Sequence, residues 1–195
     1  MTEPYSFRND KEADVRSLIL MIASHGDDLV GAEIGVFTGR SFCTLLDNCP
    51  NIKLLHGVDS FEPYDDYLIP DAYQSSEPGL IFDRKQIDMI KYTFYHHVEY
   101  SAQKHKVRFH EMDTNEAAEY IDDESLDFIF LDAYLTGKQA DNDLEVWYPK
   151  VKYGGIFAGH DWHCKDIEVA VNNFRARNNI TKTMGTYDHA WVWKK

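Results

Sequence analysis

Three aspartates follow three apolar runs: Asp59 after residues 53–58, Asp132 after 126–131, and Asp161, with His160, after 156–159. A carboxylate at the end of a buried strand can accept a hydroxyl hydrogen bond, take a proton or hold a hard divalent cation. His160 and His163 flank Asp161, and an imidazole there is a candidate general base. The plainer alternative for either histidine is a structural hydrogen bond. Glu33 closes a further apolar run and is followed by Gly35, Gly39 and Ser41. The two glycines permit a tight strand-to-helix turn with close backbone approach, although each taken singly is also the mark of an ordinary turn. Asp59 falls 24 positions after Gly35, about where an acid meets a ribose diol in nucleoside-binding α/β folds. The dinucleotide pattern GxGxxG is broken by Phe37. Its second glycine is the one that admits a pyrophosphate, so NAD is disfavoured and an adenosine ligand without phosphates fits better.

The elements that must carry these residues alternate. Helical spacing over residues 11–26, ending on Gly26, precedes a buried strand at 29–36 and a helix at 38–48. Strands follow at 53–58, 106–110, 126–131 and 156–159, the last entered through a turn at Gly154 and Gly155. Helices read at 81–100, just after 113–115, at 139–148 and at 167–177, and two closing strands at 180–184 and 190–193 form a hairpin around Gly185. Strands alternating with helices predict a doubly wound α/β sheet, in which ligands bind beyond the carboxyl ends of the strands. Residues 62–80, with three prolines and Tyr64, Tyr67 and Tyr73, form a lid-like loop whose tyrosines could make a sugar platform. Trp147, Trp191 and Trp193 read as core or interface, and His96 and His97 as bland helix positions.

With 195 residues, 44% hydrophobic and 27% charged, the chain has the composition of one globular domain spanning 1–195. Its net charge of -13 disfavours nucleic acid and anionic membrane as partners. The apolar run 18–23 is too short to span a bilayer, and no basic stub precedes it. Cys43, Cys49 and Cys164 are odd in number and lack CxxC spacing, so the expectation is a cytoplasmic chain with reduced thiols.

The segments AEIGVFTGRS, GVDSF, LDFIFLDAYL and GGIFAGHDW resemble class I S-adenosylmethionine-dependent methyltransferases, over roughly residues 30–165. The subgroup they resemble is the small O-methyltransferases related to macrocin- and mycinamicin-type sugar enzymes. The resemblance implies a Rossmann-like seven-stranded sheet in the order 3-2-1-4-5-7-6 with an antiparallel seventh strand. It implies that Glu33, Gly35 and Gly39, with Ser41 nearby, line the methionine part of the cofactor. Asp59 would take the ribose, with Ser60 and Phe61 beside the adenosine. Asp113, preceded by Met112, would hold the adenine amino group, and Asp132 would stand close by. Asp132 and Asp161 match positions that bind Mg²⁺ or Mn²⁺ in metal-dependent members. Two positions depart from the pattern: Leu135 stands where many relatives carry a histidine, and Trp162 where several carry a further oxygen ligand.

The implied reaction is methyl transfer from S-adenosylmethionine to a hydroxyl of a sugar, glycan or small polar metabolite. His160, Asp161 and His163 are the catalytic candidates and a divalent cation is the assistant. A cofactor-binding module without turnover and a nitrogen methyltransferase are the rivals. The sequence Asp132-Ala133-Tyr134-Leu135 is unlike the Asn/Asp-Pro-Pro-Tyr of nitrogen enzymes. Homo-oligomerisation stays open.

Overall fold

The protein is described by a computed structural model that covers residues 11–63, 83–133, 137–187 and 189–195. A seven-stranded sheet, in the order β3-β2-β1-β4-β5-β7-β6, organises the chain. Its strands are β1 (Leu29–Ile34), β2 (Ile52–Val58), β3 (Val107–His110), β4 (Leu126–Leu131), β5 (Val151–Gly159), β6 (Gly185–Tyr187) and β7 (Ala190–Lys194). β1 to β5 pair in parallel, and β7 runs antiparallel to both β5 and β6. The helices are α1 (Lys11–Ala23), α2 (Arg40–Asn48), α3 (Arg84–Tyr100), the short α4 (Thr114–Ala118), α5 (Gly137–Trp147) and α6 (Lys165–Arg177).

The two faces of the sheet can be read along β4. Phe128 and Phe130 enter a core with α1, α2 and α3, while Ile129 and Leu131 enter a second core with α4, α5 and α6. A strand covered on both sides has no face to leave polar, which is why LDFIFL is nearly all apolar. β7 divides the same way: Val192 faces the first core, and Trp191 and Trp193 the second. Trp147, Trp191 and Trp193 are all buried, as expected of core residues.

Several boundaries differ from the sequence expectations. The first helix stops at Ala23 rather than Gly26, and the Ser24 hydroxyl caps its end by donating to the Met21 carbonyl at 3.0 Å. β1 ends at Ile34 because Gly35 turns into left-handed backbone, φ 86°. Gly154 and Gly155 lie inside β5, which begins five residues earlier than expected, at Val151. A register shift against β4 leaves extra residues there, and Gly154 (φ 82°) absorbs the bend. The strand expected at 180–184 is absent. Asn179 turns left-handed (φ 52°) after α6 and the strand forms at Gly185–Tyr187, so Gly185 is a strand residue and not the hairpin turn. α3 is described from Arg84 and begins with a capping box between Asp83 and Gln86. The lid-like stretch lies almost wholly outside the described residues.

Asp143 of α5 is wholly buried. Trp147 of the same helix donates to the Thr114 hydroxyl at 2.7 Å, and Gln139 donates to the Asp143 carboxylate at 3.2 Å. Burial pushes the Asp143 carboxyl up to about 7, against hydrogen bonds from Thr114, Gln139 and Asn142 that favour its charged form. Since the folded carboxyl holds its proton more tightly than the unfolded one, the stability linked to that proton is full at low pH and is lost as pH rises through about 7. Asp143→Asn should therefore stabilise the fold at pH 8, by at most about 4 kcal/mol, and the gain should shrink steadily toward pH 5. Urea unfolding of both proteins across that range checks it; a gain independent of pH would contradict it.

Candidate active site

The rim at the carboxyl ends of the parallel strands collects the candidate residues in two neighbouring groups. The first centres on the turn between β1 and α2. Gly35 donates its N–H to the Val58 carbonyl at 2.8 Å. A Cβ on Gly35 would stand 2.4 Å from the Asp132 carbonyl oxygen and 2.6 Å from Ala133 Cα, both backbone atoms that cannot give way. A side chain is thus excluded by contact as well as by φ. Gly39 caps α2 in left-handed backbone at φ 77°, with the Phe94 ring 2.8 Å from its missing Cβ. From the other side, the His97 ring bonds the Thr38 carbonyl at 2.7 Å through Nδ1, which must therefore carry the proton. His97 looked bland in the sequence, but here it holds the glycine turn. No spacing rule could have found it, because the contact joins residues 59 positions apart.

Asp59 joins this turn to the end of β2. Its Oδ2 accepts the Phe37 N–H and its Oδ1 the Phe61 N–H, each at 2.9 Å. Phe37 and Phe61 both adopt φ 48°, so two turns of unfavourable backbone close on one carboxylate. Burial raises the Asp59 carboxyl above its ordinary range, and the backbone amides of Phe61, Phe37 and Val36 oppose that rise. A carboxylate offers about four lone-pair directions, so beside its backbone amides the Asp59 carboxylate has capacity to accept from a hydroxyl. Phe61 is buried against Phe94 and Phe109. Ser60 is half-buried, and its hydroxyl accepts the Glu62 N–H at 3.3 Å.

Glu33 is fully buried and accepts the Ser41 hydroxyl at 2.5 Å, which anchors the first turn of α2 from below. Met112 is half-buried against the second core. Asp113 is exposed and caps α4, with Oδ1 taking the Asn115 amide at 2.8 Å and its side-chain nitrogen at 3.1 Å.

The second group stands at the ends of β4 and β5. His160 Nδ1 lies 3.3 Å from an Asp132 oxygen and 3.1 Å from an Asp161 oxygen. Burial alone would lower this imidazole, but hydrogen bonds and charge from Asp132 and Asp161 outweigh it and hold it up at about 10. At neutral pH the ring is thus an imidazolium that draws two carboxylates together; in that state it has no lone pair with which to act as a base. Asp132, His160 and Asp161 each offer a ligand atom, all within 4.8 Å of one another. The two carboxylates are hard oxygen ligands that suit Mg²⁺ or Mn²⁺ completed by water, whereas His160 as an imidazolium lends no lone pair to an ion. Asp161 turns left-handed at φ 57° and reverses the chain, so Cys164 N–H reaches the Asp161 carbonyl at 2.8 Å. His163 is exposed on this turn, beside Cys164. Leu135 lies outside the described residues.

A glycine turn and strand-end acids on a sheet of this order, with an antiparallel seventh strand, match the class I methyltransferase architecture. The family described as a methyltransferase domain matches residues 32–162. The chain belongs to that family and is an S-adenosylmethionine-dependent methyltransferase. Among solved structures it is similar to the O-methyltransferase NovP, at 19% identity and a TM-score of 0.67, covering 93% of this chain and 78% of that one. It is similar to CalS11, the calicheamicin methyltransferase, at 14% identity and 0.59, covering 92% and 79%. It is also similar to the precorrin-6y C5,15-methyltransferase of Geobacter metallireducens GS-15, at 13% identity and 0.61, covering 93% and 89%. No curated protein matches in sequence. No helix among the described residues is long and apolar enough to cross a membrane.

Asp59→Ala leaves the Phe37 and Phe61 amides without their acceptor. In the absence of cofactor it should destabilise the protein by about 1–3 kcal/mol, read as a lower urea midpoint. An unchanged midpoint would mean that the carboxylate does not hold the two turns.

Proposed function

We propose that this methyltransferase moves the methyl group of S-adenosylmethionine to a hydroxyl of a sugar, a glycan or another small polar metabolite, acting in the cytoplasm as one domain. The observation that carries the reading is the pair of carboxylates, Asp132 and Asp161, drawn together by His160 beside the glycine turn. The similarity to the O-methyltransferase NovP supports a hydroxyl acceptor, while the precorrin enzyme shares the fold.

In this reading the glycine turn and Asp59 seat the nucleoside, with the ribose hydroxyls donating to the Asp59 carboxylate. Ser41, fixed by Glu33, stands near the methionine portion, and Met112 and Asp113 border the adenine. The sulfonium and the acceptor then meet at the Asp132 and Asp161 end. Methyl transfer is an in-line displacement, so most of the acceleration comes from holding oxygen, methyl carbon and sulfur in line. Asp161 is the more exposed of the two carboxylates, with 21% side-chain exposure against 13% for Asp132. It is placed to accept the hydroxyl proton as the new bond forms. His160 keeps the two carboxylates together. A divalent cation, when bound by Asp132 and Asp161, would lower the pKa of the acceptor hydroxyl.

The test is transfer from labelled S-adenosylmethionine to a panel of sugars and small polyols, with Mg²⁺, with Mn²⁺ and with chelator. Asp161→Asn should cut turnover by about 10²-fold or more while S-adenosylhomocysteine affinity stays within about threefold. Undiminished turnover would remove Asp161 from the acceptor site. Cofactor binding with transfer to no acceptor would favour the inert module.

A further inference from the structure

Next to the carboxylate pair, the turn after β5 gathers a second set of side chains of a different chemical kind. Asp161, His163 and Cys164 each bring one ligand atom to within 4.8 Å of the others. The Cys164 sulfur lies 3.6 Å from His163 Nε2. In a tetrahedral zinc site, with Zn–S of about 2.3 Å and Zn–N of about 2.0 Å, neighbouring sulfur and nitrogen corners stand about 3.5 Å apart. The observed separation is the edge of such a site. The His189 ring stands against the His163 ring, centroids 4.4 Å apart, on the turn between β6 and β7. That turn is pinned in place because the His189 carbonyl accepts the Trp162 N–H at 2.8 Å.

The set forms through local geometry. Left-handed Asp161 folds the chain back so that a run of only four residues can present three ligands on one side. His163 is exposed, and Asp161 and Cys164 are half-buried, so an ion can enter from solvent. Thiolate, imidazole and carboxylate together are zinc-type ligands. Mg²⁺ prefers oxygen alone and gains little from sulfur or nitrogen.

We propose that Asp161, His163 and Cys164, adjoined by His189, bind a borderline-soft divalent transition ion of the zinc class. This site differs in chemistry from the Asp132–Asp161 pair yet shares Asp161 with it. Its ion ties the turn after β5 to the start of α6, and binding expels the Cys164 thiol proton. Through the shared carboxylate, occupancy is felt at the acceptor end of the rim. The proposal does not depend on the acceptor being a hydroxyl, or on turnover at all.

The test uses the full chain without a histidine tag, stripped by chelator and titrated with Co²⁺ as a coloured substitute for Zn²⁺. One equivalent should produce a thiolate-to-cobalt charge-transfer band in the near ultraviolet, and Zn²⁺ should displace it. Cys164→Ser should abolish the band, and His163→Ala should weaken Co²⁺ binding by about tenfold or more. Asp132→Asn should leave the band in place. No band in the unaltered protein, or a band that survives Cys164→Ser, would overturn the site. A band lost in Asp132→Asn would place the ion in the carboxylate pair and overturn the separation. None of these readouts requires methyl transfer, so failure here and failure of the acceptor reading are distinguishable.

Discussion

One buried carboxylate holds the cofactor rim together. Asp59 sits at the end of β2, yet it bonds the amide of Phe37, which belongs to the turn after β1, and the amide of Phe61 in its own turn. Both amides come from residues in left-handed backbone, a conformation that needs an outside restraint to persist. In the proposed complex the same carboxylate also receives the ribose hydroxyls. The backbone amides of Phe61, Phe37 and Val36 offset part of the cost of burying its charge, and burial still holds the carboxyl above its ordinary range.

The glycine turn has a matching constraint on its other side. Gly35 leaves room for the backbone at Asp132 and Ala133, so β1 and β4 finish almost in contact. That closeness brings the nucleoside end of the rim to the end where Asp132, His160 and Asp161 meet. A chain with net charge -13 also has to manage acids converging on one edge. His160 does so locally, with one N–H shared between two carboxylates from adjacent strands.

Much of this was legible in the sequence. The near-unbroken apolar run of β4 announced a strand covered on both faces, the alternation of elements pointed to a doubly wound sheet, and the family resemblance supplied the strand order. The rim acids were visible because each follows an apolar run. Other features were hidden because they arise from tertiary contacts. β5 passes through Gly154 and Gly155 because a bulge against β4 absorbs the left-handed residue, which no local rule indicates. β6 forms later than its apolar pattern suggested, since Ile180 and Met184 pack into the second core as loop residues. His97 on the glycine turn and the approach of His189 to His163 depend on segments far apart in the chain. Propensity and spacing are silent about such contacts.

The central claim is that this rim grips the nucleoside of the cofactor through Asp59. A crystal structure of the protein with S-adenosylhomocysteine tests it most directly. The account predicts both ribose hydroxyls within about 3.2 Å of the Asp59 carboxylate oxygens, the amides of Phe37 and Phe61 still bound, and the sulfur directed toward Asp132 and Asp161. A nucleoside seated away from the carboxyl ends of the strands, or a ribose held by some other group while Asp59 stays with its two amides alone, would contradict it.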